Sequence, residues 1–160
     1  MNLRLLTVLG LACACQAPDG SVRAVPSSAL LSAMEGDWLV VGERVADCPM
    51  DSVATLPIGK SQWVRDDAEL VIASSQVAEL RYAALDEQRL FAAYSETMSG
   101  CTVTVERMLT VDALSPYTAA GNETAHFSTE GGRSCTSVLR ERGLPTSCSV
   151  ELEWQGRRLH

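Results

Sequence analysis

The chain has 160 residues, of which 46% are hydrophobic, and its formal net charge is −7. This length predicts a single domain, and the hydrophobic content is sufficient for an ordinary core. The acidic balance argues against binding to nucleic acid and against electrostatic attraction to an anionic lipid surface, so no nucleic-acid partner is expected.

The first residues, MNLRLLTVLGLACACQAPDG, have the three parts of a secretory signal. Arg4 supplies the positive charge, an apolar stretch runs over residues 5–12, and small residues precede Cys15. The apolar stretch is shorter than the roughly 20 residues that a membrane-spanning helix needs. The same place resembles the lipobox of bacterial lipoproteins, in which a cysteine is acylated and becomes the new N-terminus. The resemblance implies a signal peptide over residues 1–14 and lipidation, for example with palmitate, at Cys15.

Cysteine parity supports Cys15 as the acylated residue, because cleavage before it removes Cys13 and leaves four of the six cysteines. Acylation at Cys13, simple secretion, and an uncleaved or cytosolic protein are the alternatives. In an oxidising compartment, an even set of cysteines predicts disulfides, and the long spacings lack the close pairs of zinc sites. The four cysteines expected in two disulfides are Cys48, Cys101, Cys135 and Cys148.

Residues 15–27 are rich in Pro, Gly, Ser and Ala, which predicts a flexible tether between the lipid and one domain over residues 28–160. The segment SSALLSAMEG then predicts one or two helical turns, with Gly36 at their end.

From Asp37 onward the hydrophobic period changes to two. The candidate strands lie in the segments DWLVVGERV, SQWVRDD, ELVIASS, AELRYAALD, QRLFAAYSE, CTVTVERMLTVD, ETAHFST, SCTSVLRER and CSVELEWQG. Eight or nine short strands separated by turn residues predict an all-β fold, namely an antiparallel up-and-down β-barrel, with a β-sandwich as the alternative. No segment of helical period is long enough for a crossover, so a parallel sheet is not expected.

Two segments of the chain are candidate hairpins. AELRYAALDEQRLFAAYSE has the composition of a helix, but its apolar residues alternate on either side of Asp86-Glu87, and we predict a hairpin. SVLRERGLPTS is a second candidate hairpin, flanked by Cys135 and Cys148. It predicts a Cys135–Cys148 disulfide, which leaves Cys48 for Cys101.

The order of a helical turn, Gly36-Asp37-Trp38 and a β-meander resembles the lipocalins and the wider group of lipocalin-like barrels. In that family a Gly-x-Trp motif opens the first strand, and its Trp closes the barrel floor beneath a cationic side chain. The resemblance implies this role for Trp38, with Arg157 or Arg158 as the cation.

The chain also resembles small periplasmic inhibitors of metalloproteases. These proteins are eight-stranded barrels whose Gly-x-Trp strand is followed closely by a disulfide-forming cysteine, as Trp38 is followed here by Cys48.

Four aromatic residues are candidates for an apolar ligand pocket: Trp38, Tyr82, Tyr94 and Trp154. Core packing is the alternative, because an eight-stranded barrel is just wide enough to be filled by its own side chains or to hold one small ligand. The sequence has no nucleophile elbow, phosphate-binding loop, dinucleotide fingerprint or zinc-protease motif, so we expect no enzyme, cofactor or metal site.

The sequence therefore predicts a monomeric lipoprotein of the cell envelope, anchored to the membrane by its lipid on the periplasmic or surface face. Its barrel is expected to bind a small apolar ligand or a secreted protein. The alternatives are an inhibitor or interaction module that acts on a secreted enzyme through loops such as residues 49–60, and a structural envelope protein with a filled core.

Overall fold

The computed structural model describes residues 28–46, 48, 55–75, 79–143 and 145–160. The predicted signal peptide, the lipidation site at Cys15 and the tether lie outside these residues. The elements are α1 (Ser28–Met34), β1 (Gly36–Ala46), β2 (Gly59–Asp66), β3 (Glu69–Ser74), β4 (Leu80–Ala84), β5 (Arg89–Met98), β6 (Cys101–Leu114), β7 (Thr118–Glu130), α2 (Arg133–Arg142) and β8 (Ser147–Arg158).

The eight strands of the described residues form one closed barrel. Each strand pairs antiparallel with its neighbour in the chain, and β1 pairs with β8 to close the ring. This confirms the predicted all-β up-and-down barrel and excludes the sandwich. The short helix predicted before the first strand is present as α1.

The alternation of the sequence decides which side chains face inward. On β8, Val150, Leu152 and Trp154 are buried, and the residues between them are exposed. On β4, Leu80 and Tyr82 are buried in the same way. A strand that places apolar residues at every second position can bury them all on one side, so these segments are stable only as strands of a sheet with one covered face.

The predicted hairpin across Asp86-Glu87 is confirmed by β4 and β5. The Asp86 carboxylate accepts hydrogen bonds from the N–H groups of Gln88 and Arg89 at 2.9 and 2.8 Å. This turn aligns Ala84 with Leu90, so apolar residues of both strands are buried. The packing of the barrel therefore overrides the helix propensity of the segment.

The strand and hairpin predicted around residues 134–147 are wrong. Arg133–Arg142 forms α2, which ends at Gly143 in the left-handed conformation, with φ 65° and ψ 27°. Among the described side chains of α2, Cys135 and Leu139 are buried. They are four residues apart, which is the spacing of one helix face and not of a strand face.

The predicted disulfide pairing is also wrong, although all four cysteines are paired. The bonds are Cys48–Cys148 and Cys101–Cys135, with Cα–Cα distances of 5.2 and 4.7 Å. The β1–β8 register aligns Ala46 with Val150, so Cys48 falls beside Cys148. The turn at Gly131, whose Cβ position would be 3.1 Å from the Cys135 sulfur, brings the start of α2 back to the start of β6.

Candidate functional site

The floor of the barrel is closed by α1 and by Trp38, which is fully buried. The Trp38 indole N–H donates a hydrogen bond of 2.8 Å to the carbonyl of Met34 in α1. The guanidinium of Arg158 lies over the Trp38 ring, 4.8 Å from its centroid, and donates to the carbonyl of Ala33 at 2.5 Å. Of the two arginines considered, Arg158 supplies the cation, whereas Arg157 is exposed on the opposite face of β8.

Three tryptophans fill the interior above this floor. Trp38 stacks on Trp63 with ring centroids 5.2 Å apart, and Trp63 meets Trp154 edge-on at 5.8 Å. None of the three is more than 1% exposed. The Trp63 indole donates to the hydroxyl of Ser61 at 2.8 Å, whereas Trp154 Nε1 has no partner among the described residues.

The structure brings three of the four aromatic candidates together. Trp38, Tyr82 and Trp154 belong to the same buried cluster. Tyr94 does not, because it is 55% exposed and its hydroxyl donates to Glu96 at 3.1 Å. It lies on the face of β5 that also carries Leu90, but beyond the stretch of β5 that pairs with β4.

A second apolar cluster lies at the end of the barrel opposite the floor. It contains both disulfides, Leu139 of α2, and Val105, Ala125, Phe127 and Val150 of the last three strands. The ends of β6, β7 and β8 opposite the floor are therefore packed against each other and against α2.

A buried polar cluster lies between the two apolar clusters, and sequence analysis missed its central residue, Glu123. The side chain of Glu123 is fully buried. Its two carboxylate oxygens accept hydrogen bonds of 2.5 Å from the Tyr82 hydroxyl and from the N–H of Leu56. The alternation on β7 indicates that Glu123 faces inward, because it lies between the inward positions Gly121 and Ala125.

Burial raises the pKa of the Glu123 carboxyl, because the ionised form loses its hydration. The hydrogen bonds from Leu56 and Tyr82 and the positive charges of Arg107 and Arg44 act in the opposite direction and lower this pKa. Burial also raises the pKa of the Tyr82 phenol, and the neighbouring Glu123 raises it further, so Tyr82 remains a hydrogen-bond donor at neutral pH.

The segment Thr55–Leu56 fills the space next to this carboxylate. Thr55 is 1% exposed and Leu56 is fully buried. A guanidinium N–H of Arg44 donates to the Thr55 hydroxyl, whereas Arg44 Nε has no partner among the described residues. Thr55 and Leu56, the first described residues of the loop predicted to contact a secreted enzyme, are thus folded into the barrel. Residues 49–54 of that loop lie outside the described residues.

The outer face of β1, β8 and β7 carries a surface groove of about 440 Å³. Its lining residues are Leu39, Val41, Ala113, Thr118, Ala119, Ala120, Gln155, Gly156 and Arg157. A second depression of about 270 Å³ continues from it along the strands and is lined by Val41, Gly42, Glu43, Glu153 and Gln155.

The fold and this interior define a closed eight-stranded antiparallel barrel with a packed core. No protein-family model matches the chain, and no curated protein or solved structure matches it either. Across the described residues, neither helix is both long and apolar enough to cross a bilayer. The same residues contain no group of three His, Cys, Asp or Glu side chains that could hold a metal ion.

Proposed function

We propose that the chain is a lipid-anchored protein of the cell envelope whose barrel binds a partner protein through its outer surface. The packed interior is the observation that carries this proposal. Trp38, Trp63 and Trp154 fill one part of the barrel, and Leu56, Tyr82 and Glu123 fill another. A carrier of a drug-sized ligand needs an interior pocket of about 300 Å³ or more. The outer face of the described barrel carries a groove of about 440 Å³ with Leu39, Val41 and Ala120 in its lining, which is available to a partner.

The lipid anchor is proposed at Cys15, from the resemblance of its surroundings to a lipobox. The two disulfides support a location outside the cytoplasm, because disulfides persist in oxidising compartments. The proposed activity is binding alone, with no chemical step.

A photo-cross-linking experiment tests the outer-surface proposal. A photoreactive amino acid is placed in turn at the exposed positions Val41, Val64 and Tyr94 of the full chain, in its own envelope. A discrete protein adduct from at least one position, identified by mass spectrometry and reproduced with the purified partner, is expected. The absence of an adduct from every position contradicts the proposal.

A small ligand bound inside the barrel is the second candidate function. Two of the three buried donors without a partner among the described residues, Trp154 Nε1 and Arg44 Nε, favour it, because an unpaired buried donor is costly and a ligand acceptor would satisfy it. The third, Arg158 Nε, lies at the floor. This ligand would have to displace Leu56 from the Glu123 carboxylate.

Tryptophan fluorescence distinguishes the two candidates. The purified protein is titrated with N-phenyl-1-naphthylamine, an apolar fluorescent probe that accepts energy from tryptophan. The packed interior predicts no saturable energy transfer. The variant Leu56→Trp places a larger side chain in the interior. Saturable one-to-one binding of the probe to the wild type that is lost in this variant would establish an interior site and favour the second candidate.

A further inference from the structure

The groove on the outer face of the barrel has opposite charges at its two ends. Arg157 lies at one end, and Glu43 and Glu153 lie at the other. The part between them contains Val41 of β1, which is 55% exposed, and Ala120 of β7, together with the polar side chain of Gln155 on β8.

The strand register fixes the spacing of these groups. Leu39 is aligned with Arg157, Val41 with Gln155, and Glu43 with Glu153. These outward residues are two positions apart along each strand, so the rows that contain Arg157, Val41 and the two glutamates follow one another at equal intervals. Arg157 and Glu153 are four positions apart on β8, a distance of about 13 Å along the strand.

Glu43 and Glu153 are directly opposite each other on neighbouring strands, and both are exposed. Like charges in this position destabilise a sheet. Within the part of the chain that the structure describes, no ion pair involves either carboxylate or Arg157. A cation bound between the two carboxylates would offset their repulsion.

We propose that this groove binds an extended segment of a partner protein in which an acidic and a basic residue lie four positions apart, with an apolar residue midway. The inference rests on the proposed function, in which the barrel binds a protein through its outer surface. Side chains on one side of an extended chain recur every two residues, as they do on the strands beneath. The acidic residue then meets Arg157, the apolar residue meets Val41, and the basic residue meets Glu43 and Glu153. The segment can lie in either chain direction.

A library of random dodecapeptides displayed on phage tests this pattern against the full chain in detergent. We expect enrichment of sequences with opposite charges four positions apart and an apolar residue between them. An enriched peptide is then synthesised with a fluorescent label, and its affinity is measured by anisotropy for the wild type and for variants.

The double variant Glu43→Gln with Glu153→Gln, and the variant Val41→Asp, should each weaken binding by about tenfold or more, since each removes a complementary contact. Glu106→Gln and Val64→Asp are matched controls on other exposed parts of the barrel and should change the affinity less than about twofold, as expected for surface positions outside the contact. A peptide whose basic residue is replaced by Glu should regain affinity for Glu43→Arg with Glu153→Arg.

Failure to enrich the pattern, or an affinity that is the same in the groove variants and the controls, overturns the groove inference. Enriched peptides that bind another exposed face of the barrel would overturn the groove inference but would not contradict the proposed binding of a partner through the outer surface. The absence of any cross-linked protein in the envelope would instead count against that function, whatever the peptides show.

Discussion

The hydroxyl of Tyr82 on β4 donates a hydrogen bond of 2.5 Å to the carboxylate of Glu123 on β7, across the interior of the barrel. Both side chains are fully buried. The bond joins two strands that are not neighbours in the sheet. A polar pair of this kind contributes to stability because each group would otherwise be left unsatisfied in an apolar interior.

Removing this hydroxyl tests the contribution of the pair. Tyr82→Phe should lower the free energy of unfolding by about 1.5–3 kcal/mol, because the buried carboxylate loses a donor. Tyr94→Phe is the matched control, since its hydroxyl bonds the exposed Glu96, and it should change stability by less than about 0.5 kcal/mol. Equilibrium urea unfolding measures both. Equal losses in the two variants would contradict a buried role for the Tyr82 hydroxyl.

The raised pKa of Glu123 predicts a pH dependence of stability. Between the ordinary glutamate value of 4.5 and its raised value in the folded protein, the folded state binds more protons at Glu123 than the unfolded state does. The free energy of unfolding should therefore fall as the pH rises through this range, and should level off above it.

The variant Glu123→Gln removes this titratable group and therefore its contribution to the pH dependence of stability. Urea unfolding at pH 8 and near pH 5 should show a gain of stability on acidification in the wild type that is smaller in the variant. Asp86 does not confuse the comparison, because its hydrogen bond with Arg89 lowers its pKa below the ordinary 3.8. The same pH profile in both proteins would show that Glu123 does not titrate in this range.

Arg158 and Arg157 are adjacent but make different contacts, so they form a matched pair. Arg158→Gln removes the cation over Trp38 and should cost about 1 kcal/mol. Arg157→Gln changes an exposed residue and should cost less than about 0.5 kcal/mol. Urea unfolding followed by tryptophan fluorescence measures both, and a larger loss for Arg157 would contradict the assigned floor contact.

The two disulfides should contribute unequally to the free energy of unfolding. They join residues 100 and 34 positions apart, for which loop entropy gives upper values of about 4.7 and about 3.8 kcal/mol. Cys48→Ala with Cys148→Ala should therefore destabilise the protein more than Cys101→Ala with Cys135→Ala. Unfolding measurements compare the variants, and peptide mapping without reductant should recover a Cys48–Cys148 peptide. Recovery of a Cys48–Cys101 peptide would contradict the observed pairing.

Lipidation at Cys15 is tested by membrane fractionation. Cys15→Ser should move the protein from the membrane to the soluble fraction, because it loses its acyl anchor. Cys13→Ser is the control and should stay with the membrane, since the proposed cleavage before Cys15 would remove that residue. Intact-mass measurement of the wild type should give an acylated Cys15 N-terminus, and an unmodified N-terminus beyond Cys15 would refute the anchor.

Much of the barrel could be predicted because strand alternation is a local property of the sequence. The inward positions of β8 follow from the two-residue period of Val150, Leu152 and Trp154 alone. The same period identified the hairpin of β4 and β5 despite its helix-forming composition. The two-residue period also predicted the burial of Tyr82. It did not predict the exposure of Tyr94, because that exposure depends on where the pairing with the neighbouring strand ends.

The cysteine pairs were decided by tertiary structure. That four cysteines form disulfides follows from their even number, but which cysteines pair depends on barrel closure between β1 and β8, which places Cys48 beside Cys148. Residues 100 positions apart have no local relationship that a sequence pattern could show. The same holds for Glu123, whose inward direction is set by its own strand. Its partners Leu56 and Tyr82 come from distant parts of the chain, and only the closed barrel brings them within hydrogen-bond distance.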